Sequence, residues 1–197
     1  MKVGADRSAG QSVRLRRLDA ADARAFQELR LRWLAECPSA FVSSYDEERD
    51  TPLATIAERV SPDEDRAVFG AFDETALQGI VGVRREAARK LAHKALIWGM
   101  YVAPPARRSG VGREIMTMAL QFAATELRVR QVNLGVNASN VAAIALYERL
   151  GFTAFGLEKS YMLIDGIPQD EMHMVCVLES NAIPGQANAA PAVDRVR

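Results

Sequence analysis

The sequence has few of the features that would point directly to a function. Cysteine occurs only twice in 197 residues, at Cys37 and Cys176, and neither lies in a CxxC pair or at the spacing of Cys/His metal ligands. A chain of this size does not depend on disulfide bonds for a stable core. We therefore interpret both cysteines as buried, reduced thiols and expect no metal site.

The chain also lacks an excess of either charge and has no long apolar run. Lys and Arg together number 25, as do Asp and Glu, so no overall field attracts nucleic acid or an anionic membrane. No apolar run approaches the ~20 residues of a membrane span, and the opening letters MKVGADRSAGQS lack the apolar core of a secretory signal. We expect a cytoplasmic protein with neither nucleic acid nor membrane as a partner.

The apolar content, by contrast, is sufficient for one sizeable core. Hydrophobic residues make up 49% of the chain, and its length is near the upper end for one compact domain. Small and polar residues dominate both ends. We predict flexible tails over residues 1–11 and 180–197 and a single domain over residues 12–179.

Apolar periodicity predicts an α/β or α+β fold with a mixed sheet. The predicted strands are residues 12–18, 67–72, 79–87, 95–102, 131–136, 155–163 and 172–178. The predicted helices run from Asp19 to a point before Pro38, from Thr51 and Pro52 to Val60, from Gly112 to Arg128, and from Val141 to Leu150. The almost uninterrupted apolar run of residues 95–102 predicts a central strand, with a bulge at Gly99.

A turn rich in arginine and glycine joins this central strand to the next helix. Gly110 and Gly112 allow close approach to the backbone, while Arg107, Arg108 and Arg113 supply positive charge where a helix begins. Such a helix N-terminus favours a bound phosphate. A Walker loop is excluded because Arg113 follows Gly112 where Lys is needed, and a dinucleotide-binding loop because it needs a third Gly. A plain solvated turn remains the alternative.

Two motifs in order resemble those of the GNAT superfamily of acetyl-CoA-dependent N-acetyltransferases. MYVAPPARRSGVGREIM (residues 100–116) is similar to the family's pyrophosphate-binding motif, and VNASNVAAIALYERLGF (residues 136–152) to the motif that follows it. The resemblance covers about residues 95–152, with Arg108 standing where the family commonly has Gly. It implies a single N-acetyltransferase domain over residues 12–179, with a mixed, mostly antiparallel central sheet of six to seven strands flanked by about four helices.

The resemblance also implies a cosubstrate, acetyl-CoA, and the residues that bind it. Its pyrophosphate would meet the turn at residues 107–113, and its pantetheine arm would lie along residues 100–102. Asn140, Ala143 and Tyr147 share one helix face, and the resemblance makes Tyr147 the general acid that protonates the thiolate, a transfer uphill by about 2 kcal/mol. The implied cofactor-binding positions are Met100, Tyr101, Val102, Arg107, Arg108, Ser109, Gly110, Val111, Gly112, Arg113, Asn140, Ala143 and Tyr147.

The implied reaction moves an acetyl group to a primary amine of a small molecule or peptide by direct attack, since neither cysteine lies in a motif. Alternatives are a protein N-terminus or lysine as acceptor, or a module that binds acyl-CoA without turnover. The partners are the amine and, in a homodimer, a second chain. The general base is left open among these residues: His93, Glu47, Glu48, Asp170, Glu171 and His173. Aromatic residues that could shape the acceptor pocket are Trp33, Phe41, Tyr45 and Trp98.

Overall fold

Seven strands form one sheet, which organises the whole of the described chain. The computed structural model describes residues 13–74 and 76–178, so the predicted tails lie outside the described residues. The strands are β1 (Arg14–Arg17), β2 (Arg66–Phe72), β3 (Leu77–Arg85), β4 (Lys94–Val102), β5 (Gln131–Asn137), β6 (Thr153–Ile164) and β7 (Ile167–Val177). Their order is β1-β2-β3-β4-β5-β7-β6, so the predicted central strand is indeed the fourth of seven.

All pairs of neighbouring strands are antiparallel except β4 and β5, which are parallel. The connection between β4 and β5 is a crossover through a helix, as a parallel pair requires. The prediction of a mixed, mostly antiparallel sheet is therefore confirmed.

Five α-helices accompany the sheet in the part of the chain that the structure describes. They are α1 (Ala23–Glu36), α2 (Tyr45–Glu48), α3 (Leu53–Val60), α4 (Val111–Thr125) and α5 (Val141–Arg149). Asp19, where the first helix is predicted to begin, accepts a hydrogen bond from the Ala21 amide and caps a 3-10 turn that runs into α1. Thr51, where the second helix is predicted to begin, lies one residue too early, because Pro52 occupies the N-cap of α3.

Two apolar layers cover the two faces of the sheet. On one face Phe26, Leu29 and Trp33 of α1 pack with Ile56 of α3. On the other face α4 packs against the central strands, and Tyr147 of α5 joins the same cluster. Cys176 is buried and Cys37 half-buried, and both are free thiols.

Two predicted boundaries differ from the structure because local backbone geometry ends an element early or late. Helix α4 ends at Thr125, three residues before the predicted end, and Arg128 turns the chain with a left-handed φ of 52°. The last hairpin turns on Asp165 and Gly166 alone, with φ of 50° and 78°. Such a two-residue turn leaves residues 167–171, which lie before the predicted start of the last strand at residue 172, free to extend β7.

No helix in residues 13–74 and 76–178 is long and apolar enough to cross a membrane.

Candidate functional site

The parallel pair of strands separates along its length and opens a cleft in the sheet. β4 and β5 pair only between Lys94–Leu96 and Gln131–Asn133. Beyond these residues the strands diverge around a cleft of about 1380 Å³, lined by β4, β5, the start of α4 and one face of α5. The divergence exposes backbone edges of both strands within one cavity.

The predicted bulge at Gly99 is present on the β4 side of this cleft. Gly82 of β3 pairs with Trp98 while Ile80 pairs with Tyr101, so Val81 alone faces two residues of β4. Gly99 has a φ of +62°, a conformation that glycine adopts without strain. The bulge bends β4 where it leaves β5.

The last residues of β4 present their backbone to the cleft and their side chains to both layers. The Ala103 amide donates to the Gln78 carbonyl of β3 at 2.7 Å. Because backbone amides and carbonyls alternate in direction along a strand, those of Val102 point away from β3 and toward the cleft. Consistently, the Val102 carbonyl accepts a hydrogen bond from Arg107 Nε at 2.9 Å. Met100 and Val102 pack against the α4 layer. Their strand edge can therefore pair with an extended ligand.

Tyr101 lies between them but points its side chain to the α1 layer. Its ring is 5.4 Å from that of Trp33, and its hydroxyl donates to Glu36 Oε2 at 2.7 Å. Burial and this hydrogen bond raise the pKa of Tyr101 to about 12. By the same alternation the amide and carbonyl of Tyr101 face β3, where Tyr101 pairs with Ile80, and its phenol stays protonated at neutral pH.

The turn before α4 leaves a helix N-terminus without a side-chain cap. Gly110 occupies the N-cap with a left-handed φ of 97°, and its carbonyl accepts from the Glu114 amide at 3.1 Å. The amides of the first turn, residues 111–113, therefore have no acceptor inside the helix. Together with the positive end of the helix dipole they make an anion site that faces the cleft.

Three arginines surround these amides, as the sequence predicts. Arg107, Arg108 and Arg113 all line the cleft and are exposed. Arg108 has a left-handed φ of 63°, which explains why the family commonly has Gly at this position. The local positive charge exists despite a net charge of zero for the chain.

The seven predicted residues of this turn divide into two groups. Gly110 and Gly112 line the cleft with the arginines. Ser109 donates its hydroxyl to the Ala106 carbonyl at 2.7 Å, and the side chain of Val111 is only 2% exposed in the core. For Ser109 and Val111, only the backbone is free to meet a ligand.

Helix α5 supplies the opposite wall of the cleft. The Asn140 side chain caps this helix by accepting from the Ala143 amide at 3.1 Å, whereas the hydroxyl of Ser139 donates to Asn137 Oδ1. Asn140, Ala143 and Tyr147 all line the cleft, as expected of residues that share a helix face.

Tyr147 is the most buried titratable residue of this wall. It is 6% exposed, and its ring centroid lies 5.9 Å from that of Phe152. Burial raises the pKa of Tyr147 above its ordinary value of 10.0. The phenol is therefore protonated at neutral pH, as a general acid must be, although giving up its proton is more costly than for an exposed tyrosine.

Apolar and aromatic residues close the cleft on the side of α1. Trp98, Phe41 and Cys37 line it, and Phe41 stacks on Trp33 at 5.1 Å. Trp33 itself is fully buried in the core, and Tyr45 is 42% exposed and does not line the cleft. Of the four predicted aromatic residues, Phe41 and Trp98 therefore reach the site.

Three of the predicted base residues are unsuited to take a proton in the cleft. His93 immediately precedes β4, at the end where β4 and β5 are still paired. Glu48 is buried, but hydrogen bonds from Arg30 and Arg59 outweigh that burial and lower its pKa to about 2. Glu47 is exposed and caps α2 through Ser44, which also lowers its pKa.

The remaining predicted base residues lie together on β7. Asp170 pairs with Lys159 at 2.7 Å, and this hydrogen bond lowers its pKa. Glu171 lies against Gly135, a residue that lines the cleft, and burial raises its pKa. His173 approaches Glu171, with 3.7 Å between Nδ1 and Oε1. Glu171 and His173 are thus the titratable pair of β7 beside the cleft.

Several residues of the cleft wall were missed from the sequence, among them two polar or bare positions of β5. Gly135 and Asn137 both line the cleft, and Asn137 donates from Nδ2 to the Ser39 carbonyl at 2.9 Å. The signal was the alternation in β5: Val132, Leu134 and Val136 are buried on one face, so Gly135 and Asn137 must share the other.

Together, the split mixed sheet and the helix N-terminus that faces its gap define the class of proteins with the N-acetyltransferase fold. The chain belongs to the acetyltransferase (GNAT) family, whose model matches residues 26–152. This membership confirms the resemblance seen in the two sequence motifs.

Individual relatives agree with this assignment. A mycothiol acetyltransferase from Salinispora tropica is 31% identical over 134 residues, covering 66% of this chain and 43% of that protein. A ribosomal protein bS18-alanine N-acetyltransferase from Salmonella typhimurium is 41% identical over 71 residues, covering 34% of this chain and 45% of that protein. The chain thus spans less than half the length of these two curated relatives.

A solved structure supports the fold. The structure of yncA from Salmonella typhimurium with its cofactor acetyl-CoA has a TM-score of 0.69 and 19% identity, and the match covers 89% of this chain and 99% of that one. At this identity the likeness concerns the fold alone.

Proposed function

We propose that the protein is an N-acetyltransferase that moves an acetyl group from acetyl-CoA to a primary amine of a small molecule or peptide. Family membership supports the reaction class, and the described cleft supports the cosubstrate. The observation that carries the proposal is that an anion site, a free strand edge and a buried tyrosine line one cleft.

Each part of acetyl-CoA has a counterpart in this cleft. The amides of residues 111–113, with Arg107, Arg108 and Arg113, would hold the pyrophosphate by charge-assisted hydrogen bonds. The backbone of Met100 and Val102, on either side of Tyr101, would pair with the amides of the pantetheine arm, as an added strand pairs with an open edge. The capped start of α5, with Asn140 and Ala143, closes the other side.

Two groups of the chain would then act on the thioester. An amide of the β4 edge donates to the carbonyl oxygen and stabilises the negative charge that develops there when the amine attacks. Tyr147 donates its phenolic proton to the departing sulfur. Because Cys176 lies in the core and neither cysteine belongs to the two acetyl-CoA motifs, the amine attacks directly in a ternary complex.

The test is thiol release from acetyl-CoA in the presence of amines, with Tyr147→Phe beside the wild type. The panel contains spermidine, a peptide with an N-terminal alanine, a lysine peptide and benzylamine. We expect turnover with one class of amine and a fall in kcat of about 100-fold in Tyr147→Phe, as for loss of a general acid. Phenylalanine keeps the ring packing on Phe152, so the dissociation constant of acetyl-CoA should stay unchanged in calorimetry.

Two results would count against the proposal. Binding of acetyl-CoA without turnover of any amine would favour a non-catalytic acyl-CoA-binding module. Full activity in Tyr147→Phe would contradict the role of Tyr147 as general acid, although the proposed reaction itself would stand. Turnover of the peptides alone would make the protein a protein acetyltransferase.

A homodimer and a cytoplasmic location stay predictions.

A further inference from the structure

A row of polar residues crosses the strands next to the cleft. Asn137 of β5 pairs with Glu171 of β7, which pairs in turn with Glu158 of β6. Residues directly paired across strands share one face of the sheet. The Asn137 side chain donates to the carbonyl of Ser39, which lies just after α1 in the chain. The polar row therefore lies on the same face of the sheet as α1. The row therefore flanks the acceptor side of the cleft.

The carboxylate of Glu171 reaches the cleft wall because Gly135 has no side chain. A Cβ built on Gly135 would overlap Glu171 Oε1 and Cδ, so the carboxylate occupies the space that any other residue would fill. Gly135 in turn lines the cleft close to the point where β4 and β5 separate. The Glu171 side chain is only 12% exposed.

The titratable groups that face Glu171 form a connected set. His173 lies between two carboxylates, with Nε2 at 3.1 Å from Glu158 Oε2 and Nδ1 at 3.7 Å from Glu171 Oε1. Tyr161 of β6 packs its ring perpendicular to that of His173, with 6.3 Å between the centroids. Burial raises the pKa of Glu171, His173 opposes that rise and Glu158 adds to it. A carboxylate in this setting holds a proton more readily than an exposed one.

None of the described residues that line the cleft is itself a suitable base. Its titratable lining consists of arginines, Cys37, Tyr101 and Tyr147, and the central strand contributes no carboxylate. Glu36 contacts the cleft residue Tyr101, but it is exposed and already accepts a hydrogen bond from the Tyr101 hydroxyl. Glu171 is the carboxylate that touches the wall where the two strands part.

We propose that Glu171 is the general base of the acetyl transfer, reaching the acceptor nitrogen across the bare backbone of Gly135, with His173 positioning its carboxylate. The assignment rests on the proposed N-acetyltransferase function. It also names the acceptor as an amine that arrives as an ammonium ion, because a carboxylate both attracts that charge and removes its proton.

The proton balance is complete with the groups described. Glu171 takes one proton from the ammonium, and the free amine attacks the thioester carbon. The C–N bond forms and the C–S bond breaks, with Tyr147 giving its proton to the sulfur. The nitrogen loses its second proton as the amide forms, and that proton restores the Tyr147 phenol. The proton on Glu171 leaves to solvent, so each turnover releases one proton.

The test compares the pH profiles of Glu171→Gln and Asp170→Asn with that of the wild type, using the best amine of the panel above. Both variants remove one carboxylate from neighbouring residues of β7, but Asp170 pairs with Lys159 and not with the cleft wall. We expect kcat/KM of Glu171→Gln to fall about 100-fold at pH 7. The gap should narrow toward pH 10, where the ammonium loses its proton unaided. Asp170→Asn should stay within about threefold of the wild type at every pH, and both variants should bind acetyl-CoA normally.

A second variant tests the route across Gly135. Gly135→Ala leaves Glu171 in place in the sequence but displaces its flexible carboxylate end, because the new methyl group would occupy its position. We expect kcat/KM to fall in Gly135→Ala, and we expect no further loss when this change is added to Glu171→Gln. Two changes that act through one group are not additive in such a cycle.

The outcomes separate the two proposals. A wild type without turnover of any amine removes the acetyltransferase function and, with it, the role of Glu171. An active wild type matched within threefold by Glu171→Gln at pH 7 removes the role of Glu171 alone. A fall in kcat/KM of Glu171→Gln that is equal at all pH values also overturns the role of Glu171. A missing general base should matter less as the pH rises, because the amine then loses its proton without help.

Discussion

Arg108 combines a backbone cost with a charge that the site uses. Its left-handed φ of 63° is unfavourable for a residue with a Cβ by about 1 kcal/mol, whereas glycine adopts it freely. The same residue lines the cleft beside the free amides of α4. We expect Arg108→Gly to raise the free energy of unfolding by about 1 kcal/mol in urea titrations. It should also weaken acetyl-CoA binding about tenfold in calorimetry, the value of one charge-assisted hydrogen bond.

Arg108→Ala is the matched control, because it removes the same guanidinium but keeps a Cβ at a left-handed position. It should lose as much acetyl-CoA affinity as Arg108→Gly without the gain in stability. Equal stability of the two variants would contradict the backbone argument. Unchanged affinity in both would contradict the role of the charge.

At the scale of single residues, the sequence predicted the position of a side chain where helix spacing determines it. It did not predict the pKa of a side chain, because that depends on neighbours that are distant in sequence. Asn140, Ala143 and Tyr147 line the cleft as their spacing predicts. The burial of Tyr147, which raises its pKa, depends on Phe152 and the core cluster around them. The choice among the candidate general bases depends on which carboxylates form ion pairs with basic side chains. No local sequence pattern predicts those pairs.

Among the helices, one buried carboxylate joins three elements that sit on the acceptor side of the sheet. Glu48 of α2 pairs with Arg30 of α1 and, at 2.8 Å, with Arg59 of α3. Its folded-state pKa of about 2 lies below its ordinary value of 4.5, so its stabilisation is fully present above that value and is lost as the pH falls toward 2. We expect Glu48→Gln to lower the free energy of unfolding by about 3 kcal/mol at pH 7, because the buried Arg30 and the partly exposed Arg59 lose the charge of their partner.

Urea unfolding at pH 7 and pH 3 measures this effect. The difference between Glu48→Gln and the wild type should shrink at pH 3, within the window where the wild-type carboxylate loses its advantage. Glu58→Gln on the exposed side of α3 is the control and should stay within about 0.5 kcal/mol of the wild type at both values. A pH-independent difference would show that packing, not charge, links the three helices.

At the scale of elements, the sequence predicted what local periodicity encodes. The apolar run of β4 and the three-and-four spacing in α4 gave both elements their correct type and order. Helix α2 was missed because it has a single turn, held by a reciprocal cap between Ser44 and Glu47. The full length of β6 was missed because most of its residues are exposed, so no alternation marks it. The separation of β4 from β5 involves segments far apart in sequence, and neither segment shows it alone.

For the whole molecule, the cleft brings together parts of the chain that are distant in sequence. Its walls come from β4, β5, the start of α4 and α5, and the loop after α1 closes one end. A ligand that touches all of them stabilises the folded state as a unit, since the unfolded chain has no such site. Ligand binding should therefore appear in the thermal stability of the entire domain.

We expect CoA at 100 times its dissociation constant to stabilise the fold by about 2.7 kcal/mol. For a domain of this size that corresponds to a rise in Tm of about 5–10 °C in a thermal unfolding scan. Pantetheine at the same concentration lacks the pyrophosphate and should raise Tm by much less, because the amides of residues 111–113 and the arginines beside them then have no anion to bind. Arg108→Ala should reduce the shift caused by CoA and leave that of pantetheine unchanged. Equal shifts from CoA and pantetheine would move the main binding energy from the start of α4 to the strand edge of β4, and the turn between them would then be a solvated connection after all.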